Sequence, residues 1–199
     1  MTESRNRLLK LIEDRCLKIG KVRLSTGQES DFYFDCKRIA LEGEGLSLLT
    51  DLVFERIESL PEMPSAVGGL TMGADFIVAG VILKAHRLGK AVQHGSIVRK
   101  EVKKHGAQNK IENKLTSGVK IVVVDDVVTT GGSTLEACEQ FEMAGYDIVG
   151  IITLVDREES DGMLNISQKY KNVSSIFKAS DFEKLVEYRY NKNHQAAIA

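Results

Sequence analysis

The chain has 199 residues, with 28% charged and 43% apolar side chains and a formal net charge of −1. That balance fits an ordinary globular protein with enough chain for a sizeable core, and it excludes any global pull toward nucleic acid or an anionic membrane. No apolar run reaches the roughly eighteen residues needed to span a bilayer, and the opening MTESRNRLLKLIEDR carries acids and lacks a signal-peptide core. Leu8, Ile12, Cys16 and Ile19 fall on one helical stripe, and Gly20 reads as the residue closing that helix. From Val22 to Lys37 a Ser25-Thr26-Gly27 turn and the alternating Asp31-Phe32-Tyr33-Phe34-Asp35 predict a hairpin. Leu46, Leu49, Val53 and Ile57 mark a second amphipathic helix, stopped by Pro61 and Pro64.

Beyond Pro64 the rhythm changes to short apolar runs alternating with helices. Strands are predicted at 65–69, 91–98, 121–124 and 148–155, and helices at 74–88 and 133–144. Repeated strand–helix units of this kind predict an α/β fold, a mainly parallel sheet with helices on both faces. Ser180-Asp181-Phe182-Glu183 reads as a capping box opening a last helix. Three scattered cysteines (Cys16, Cys36, Cys138) without a CxxC predict reduced thiols in a cytoplasmic protein, with neither a disulfide framework nor a zinc site. His86, His94 and His194 read as structural. The Asn-X-Ser triplets at Asn165 and Asn172 carry no weight without a secretory signal.

The strongest chemical signal is Ile121-Val-Val-Val-Asp125-Asp126-Val127-Val128-Thr129-Thr130-Gly131-Gly132-Ser133-Thr134. A buried strand presents two adjacent carboxylates at its carboxyl edge, where open α/β sheets bind ligands. Small and hydroxylated residues then lead into a helix. Glycines allow close backbone approach, and free amides at the helix start suit a phosphate. The pair of acids beside a phosphate cradle fits a sugar phosphate. A plain strand-to-helix turn capped by Ser133 or Thr134 is the competing reading. Neither GxxxxGK[ST] nor a GxGxxG after a strand occurs.

The second constellation is Arg99-Lys100-Glu101-Val102-Lys103-Lys104-His105-Gly106, at the head of a stretch without periodicity that runs to Ser117. Such stretches in a compact domain are functional loops or disorder. Taken alone, the basic cluster reads as a solvated charge run or, less readily, a nucleic-acid patch, for which there are few aromatics to stack bases.

Val123 to Ser133 resembles the PRPP-binding signature of type I phosphoribosyltransferases, where PRPP is 5-phosphoribosyl 1-diphosphate. Arg-Lys-Glu-x-Lys-x-His-Gly resembles the mobile catalytic loop of the orotate phosphoribosyltransferase family. In family order, Leu24 to Asp35 resembles the hairpin that helps cover the base. Gly68-Gly-Leu-Thr-Met-Gly-Ala-Asp75 resembles the pyrophosphate loop, and Leu154-Val-Asp-Arg157-Glu158 the strand end whose arginine meets the orotate carboxylate. Met72 and Ser25 stand where some members carry lysines, and Phe76 where proline is common.

The resemblance implies a single type I phosphoribosyltransferase domain over 1–199. An N-terminal helix–hairpin hood (1–40) would cover the base, 65–160 would form the PRPP-binding core, and 99–117 would be a mobile loop shared across a homodimer. It implies transfer of the phosphoribosyl group to orotate. PRPP would be held by Arg99, Lys100, Lys103, His105 and Asp125 through Ser133 (Asp126, Val127, Val128, Thr129, Thr130, Gly131 and Gly132 included). Orotate would be held by Thr129 and Arg157. Arg99, Lys103, His105, Asp125 and Asp126 are the expected catalytic residues. Mg²⁺ is the implied cofactor, carried by PRPP without a direct protein ligand and linked to Asp125 and Asp126 through water. No nucleic-acid or membrane partner is implied. The rivals are a phosphoribosyltransferase acting on another base, a regulator of the same fold that binds nucleic acid, and a catalytically dead relative.

Overall fold

A computed structural model describes residues 2–23, 27, 29–101 and 110–196. Ser25 in the hairpin turn, and Lys103 and His105 in the basic loop, lie outside the described residues. Helix α1 (Thr2–Arg15) leads into the antiparallel hairpin of β1 (Leu17–Arg23) and β2 (Glu29–Phe34). A short α2 (Lys37–Ala40) and the long α3 (Gly43–Glu58) follow. Then come β3 (Ala66–Leu70), α4 (Asp75–Arg87), β4 (His94–Val98), β5 (Ile111–Glu112), β6 (Lys120–Val128), α5 (Gly132–Met143), β7 (Asp147–Asp156), α6 (Gly162–Ser167), β8 (Val173–Lys178), a 3-10 turn (Ala179–Asp181) and α7 (Glu183–Ala196).

The main sheet has the order β5-β4-β3-β6-β7-β8, parallel throughout except for β5 at one edge. Both faces of a parallel sheet must be covered, and strand parity shows how this is done. Val122 and Val124 of β6 point into the core shared with α1, α3, α4 and the hairpin, whereas Ile121 and Val123 point into the core under α5 and α6. The C-terminal segment closes on the N-terminal hairpin. The rings of Phe34 and Phe182 lie 4.9 Å apart, Arg189 sits over Phe32, and Lys192 pairs with Asp31. Among the described residues no helix is long and apolar enough to cross a membrane.

Four sequence expectations need correction. The first helix ends at Arg15, so Ile19 lies in β1, is 40% exposed and leaves the stripe formed by the fully buried Leu8, Ile12 and Cys16. Gly20 does not close a helix; it lies in β1 where the pairing register slips between Ile19 and Val22. Ser180 does not cap the last helix, since it sits inside the 3-10 turn; there the Asp181 carboxylate accepts the Lys178 amide, and α7 opens at Glu183. The stretch from 99 to 117 is shorter as a loop than its composition indicates, because Ile111 and Glu112 pair back onto Val98 and Ile97. α2, α6 and β8 had no sequence expectation; the first two are only four and six residues long.

The two Asn-X-Ser asparagines serve internal carbonyls: Asn165 Nδ2 donates to Thr130 O at 3.2 Å and Asn172 Nδ2 to Val149 O at 2.9 Å. In the core beneath α5, Phe141 is fully buried and stacked on Tyr146 with ring centroids 5.5 Å apart. Phe141→Ala is expected to lower the unfolding free energy by about 3–5 kcal/mol. The measurement is a urea titration, in which the midpoint should fall without a change in slope.

Candidate active site

The apolar run of β6 does not stop at the acids. The strand continues to Val128, with Asp125 opposite Thr153 and Val128 opposite Asp156 of β7. Parity carries the first carboxylate toward α5, where the Thr134 hydroxyl donates to Asp125 Oδ2 at 2.7 Å, and sends the second toward the side of the hairpin. Each acid also accepts from the next backbone amide, Asp126 N to Asp125 Oδ1 at 3.0 Å and Val127 N to Asp126 Oδ1 at 2.9 Å.

Asp125 is 5% exposed, and burial together with the neighbouring charge of Asp126 pushes it up to about 7 against the pull of the Thr134 hydrogen bond. Burial raises Asp126 as well, and the positive charge of Lys37 is the largest influence working the other way. Gly73, in the loop after β3, closes over the pair. A Cβ at that position would stand 2.5 Å from Asp126 Oδ1 and 2.7 Å from Asp125 Oδ1.

From the acids the chain passes into a hollow of about 90 Å³ lined by Asp125 and by 127–134. Gly131 takes φ +82° and ψ −1° at the start of α5, a left-handed conformation that glycine adopts without strain. The N-cap residue offers no side chain, and among the described residues only the Gly132 amide of the first turn meets a side-chain oxygen, so the amides of Ser133 and Thr134 face no cap. Ser133 is not a cap, and Thr134 is neither a cap nor a phosphate donor, since its hydroxyl is buried and given to Asp125. The plain-turn reading therefore fails on its own terms. The Thr130 hydroxyl accepts the Gly132 amide at 3.3 Å.

A larger cleft of about 280 Å³ joins this hollow. Its walls bring together Tyr33, Phe34 and Lys37 from the hood side, Thr71, Met72 and Gly73 from the loop after β3, Lys100, the acid pair, Thr129, Ser133 and Arg157. Val127 also lines it, whereas Val128 is buried below with 1% exposure. Arg99 does not line this cleft. It belongs to an adjoining hollow with Thr71, Asp75 and Lys100, and it pairs with Glu112 at 2.6 Å while its amide donates to Lys110 O at 2.7 Å, forming the stem of the basic loop. Met72, 58% exposed, brings no charge to the loop after β3.

Arg157 is 2% exposed and heavily committed. Its Nη2 donates to Ser30 Oγ and to the Phe32 carbonyl, both at 2.8 Å, and Nε donates to Glu159 Oε2 at 3.1 Å. The guanidinium carbon lies 4.5 Å from the Phe32 ring centre. Burial lowers its proton affinity and Glu159 restores part of it. One terminal nitrogen, Nη1, makes no hydrogen bond among the described residues and remains for a ligand in the cleft.

Sequence reasoning passed over Lys37 and Tyr33. Lys37 stands two residues past the aromatic strand, outside any motif; its i, i+2 spacing from Asp35 was the available sign. Among the described residues no group of three His, Cys, Asp or Glu side chains is placed to hold a metal ion.

Comparison with known proteins points the same way. The phosphoribosyl transferase domain model matches residues 42–192. The orotate phosphoribosyltransferase of Streptomyces coelicolor is 41% identical over 162 residues, 81% of this chain and 87% of the relative. The Mycobacterium tuberculosis orotate phosphoribosyltransferase in complex with Fe(III) dicitrate superimposes with a TM-score of 0.76 at 32% identity, covering 90% of this chain and 99% of that one. The same enzyme in complex with PRPP gives a TM-score of 0.70 at 28% identity, covering 90% and 98%. A domain model spanning most of the sequence and a relative above two-fifths identity over four-fifths of it agree, and this chain belongs to the orotate phosphoribosyltransferase family.

Proposed function

We propose that the cleft transfers the 5-phosphoribosyl group of PRPP to orotate, giving orotidine 5′-monophosphate and pyrophosphate in pyrimidine nucleotide synthesis. The observation that carries this reading is the buried acid pair running directly into the uncapped start of α5, with a half-committed arginine one strand away. In the reaction a bond forms between orotate N1 and the ribose C1, the N1 proton passes to solvent or pyrophosphate, and the C1–O bond breaks with its electron pair leaving on pyrophosphate. The site must hold a cationic ribosyl centre and a departing polyanion, which is a task of positioning and electrostatics.

Asp125 and Asp126 accept from the ribose hydroxyls, and the amides from 130 to 133 hold the 5′-phosphate. Arg157 Nη1 donates to the orotate carboxylate beside Tyr33, and Thr129 lies between the base and phosphate ends because it lines both hollows. Lys100, at the stem of the basic loop, meets pyrophosphate together with Arg99. Lys103 and His105 follow the leaving group from the neighbouring subunit of a homodimer.

The hard oxygens of Asp125 and Asp126 suit water-mediated contact with a Mg²⁺ ion that substrate oxygens would carry. Such an ion would supply positive charge against the departing pyrophosphate. The three buried free thiols support a reducing, cytoplasmic setting.

The direct test follows orotate absorbance after addition of PRPP and Mg²⁺, with adenine, guanine, hypoxanthine and uracil in parallel. Consumption of orotate alone is expected, and turnover of another base in its place would remove the orotate assignment. Arg157→Ala should raise KM for orotate about tenfold or more, the loss of a charge-assisted hydrogen bond, while KM for PRPP moves little. Equal losses for both substrates would remove Arg157 from the base site.

The acid pair also predicts a pH signature. Asp125 binds its proton more tightly in the folded chain than in the unfolded one, so its contribution to stability is greatest at low pH and is lost as pH rises through about 7. Asp125→Asn should therefore melt at a higher temperature than the wild type at pH 8 without substrates, with the gap narrowing as pH falls below about 7 and closing near the ordinary value of 3.8. Its turnover should fall about a hundredfold. Parallel thermal melts and initial rates check both.

A further inference from the structure

Arg157 brings a fork of N–H donors to the cleft wall, and its neighbours take most of them. Nε donates to Glu159 Oε2 at 3.1 Å, and the same carboxylate oxygen lies 2.8 Å from Nη2. The Nε–Nη2 edge of the guanidinium is thus closed by a single oxygen. Nη2 also donates to Ser30 Oγ and to the Phe32 carbonyl, both at 2.8 Å. The Ser30 hydroxyl completes a ring of contacts. It donates to Glu159 Oε1 at 3.1 Å while accepting from Arg157 Nη2, and the Phe32 amide reaches it at 3.4 Å. A hydroxyl has a single proton and a pair of acceptor sites, so Ser30 is fully used.

The backbone brings Glu159 to this place. The Arg157 amide donates to the Val128 carbonyl at 3.0 Å and ties the end of β7 to β6. Glu158 then takes φ +53°, a left-handed conformation that residues with a Cβ adopt rarely. Its amide donates to Asp156 Oδ1 at 2.8 Å, and its carboxylate accepts the Ser180 amide at 2.7 Å. Glu158 is therefore spent on the turn and on the C-terminal segment. Glu159, the next residue, meets the side chain of Arg157.

We propose that Glu159 is a positioning residue for the base site: with Ser30 it closes the Nε–Nη2 edge of Arg157, so that the guanidinium presents Nη1 alone, in one direction, to the carboxylate of the base. The inference rests on the phosphoribosyl-transfer reading of the cleft, with orotate as the base.

An unoccupied guanidinium grips an oxyanion through a two-nitrogen edge and can turn on its stem to do so. In a cleft that also takes a phosphorylated sugar, such a group would be open to phosphate oxygens as readily as to a carboxylate. Closing the edge removes that option, and the Phe32 ring, 4.5 Å from the guanidinium carbon, limits rotation. Nη1 makes no hydrogen bond among the described residues, and Arg157 lines the cleft with Tyr33 and Thr129. Glu159 carries the same charge as the incoming carboxylate, so its contribution is direction and not attraction. Contacts behind a binding group hold it within a fraction of an ångström of its productive place.

The test is a double-mutant cycle on Glu159 and Arg157, read in base recognition. Wild type, Glu159→Ala, Glu159→Gln, Arg157→Ala and the double variant are compared in KM for orotate, in KM for PRPP and in inhibition by orotamide, the uncharged amide of orotate. Glu159→Ala should raise KM for orotate about tenfold, with KM for PRPP close to wild type. Wild type should bind orotamide much more weakly than orotate, and the gap should narrow in Glu159→Ala, because the loss falls on the charged contact. Glu159→Gln keeps an acceptor for Nε and should recover most of the loss. In the Arg157→Ala background, Glu159→Ala should change KM for orotate no further, since its effect passes through the arginine.

Orotate and PRPP impaired alike in Glu159→Ala, or an unmoved gap between orotamide and orotate, overturns the proposal, since a purely structural residue would cost every ligand alike. Additive losses in the cycle overturn it as well, and so does a Glu159→Gln as impaired as Glu159→Ala. A wild type that consumes another base in place of orotate removes the reaction reading before any variant is made. A wild type that prefers orotate beside an unimpaired Glu159→Ala removes this proposal alone. If Glu159→Ala does not fold, Ser30→Ala carries the same comparison, because it removes the hydroxyl that ties the carboxylate to Nη2.

Discussion

Two carboxylates side by side at the end of a buried strand are the constraint from which the site is built. Removing either from water is costly, and placing them together adds repulsion. Relief comes from different quarters. α5 gives Asp125 a hydroxyl, the strand gives each acid its neighbour's amide, and the hood gives Asp126 a lysine. What remains uncompensated is the cost of keeping two acids out of water at the wall of a cleft. Stability given up at such a pair is the kind of cost that functional sites ordinarily carry.

The base end follows a different logic. Arg157 is not a free arginine waiting for a carboxylate. It is a rivet that draws the Phe32 carbonyl and Ser30 of the hairpin onto the end of β7, with Glu159 balancing its charge. The exposed part of the guanidinium left to a ligand is consequently small and fixed in direction. A planar group gripped on two of its nitrogens loses little freedom when the third engages. The hood therefore takes its position from the same side chain that is assigned to the base.

The parallel core was legible in the sequence because β6 and β7 are buried on both faces and read as nearly continuous apolar runs, with the acids and glycines of the cradle adjacent in one stretch. The commitments of its side chains were not legible. Thr134 looks like a phosphate donor until parity shows Asp125 turned toward it, and Arg99 looks like part of the cleft until Glu112 folds back beside it. Lys37 was missed because it reaches the cleft from the hood side, some ninety positions before the acids that line the same walls, and no local pattern encodes that. Gly20 was misread for a related reason, since a glycine after a helical stripe and a glycine in a strand bulge look alike until the pairing partner is known.

The close approach of Gly73 to the acids carries a consequence for descent. A Cβ there would stand 2.5 Å from Asp126 Oδ1 and 2.7 Å from Asp125 Oδ1, so both carboxylates would have to shift to admit it. Replacement of Gly73 becomes sterically tolerable only in a lineage that has already given up an acid, and such a lineage has lost the selective reason to keep the loop. Substitution at Gly73 is thereby coupled to the two acids. Gly73 is frozen by what its neighbours must do, although it has no chemistry of its own.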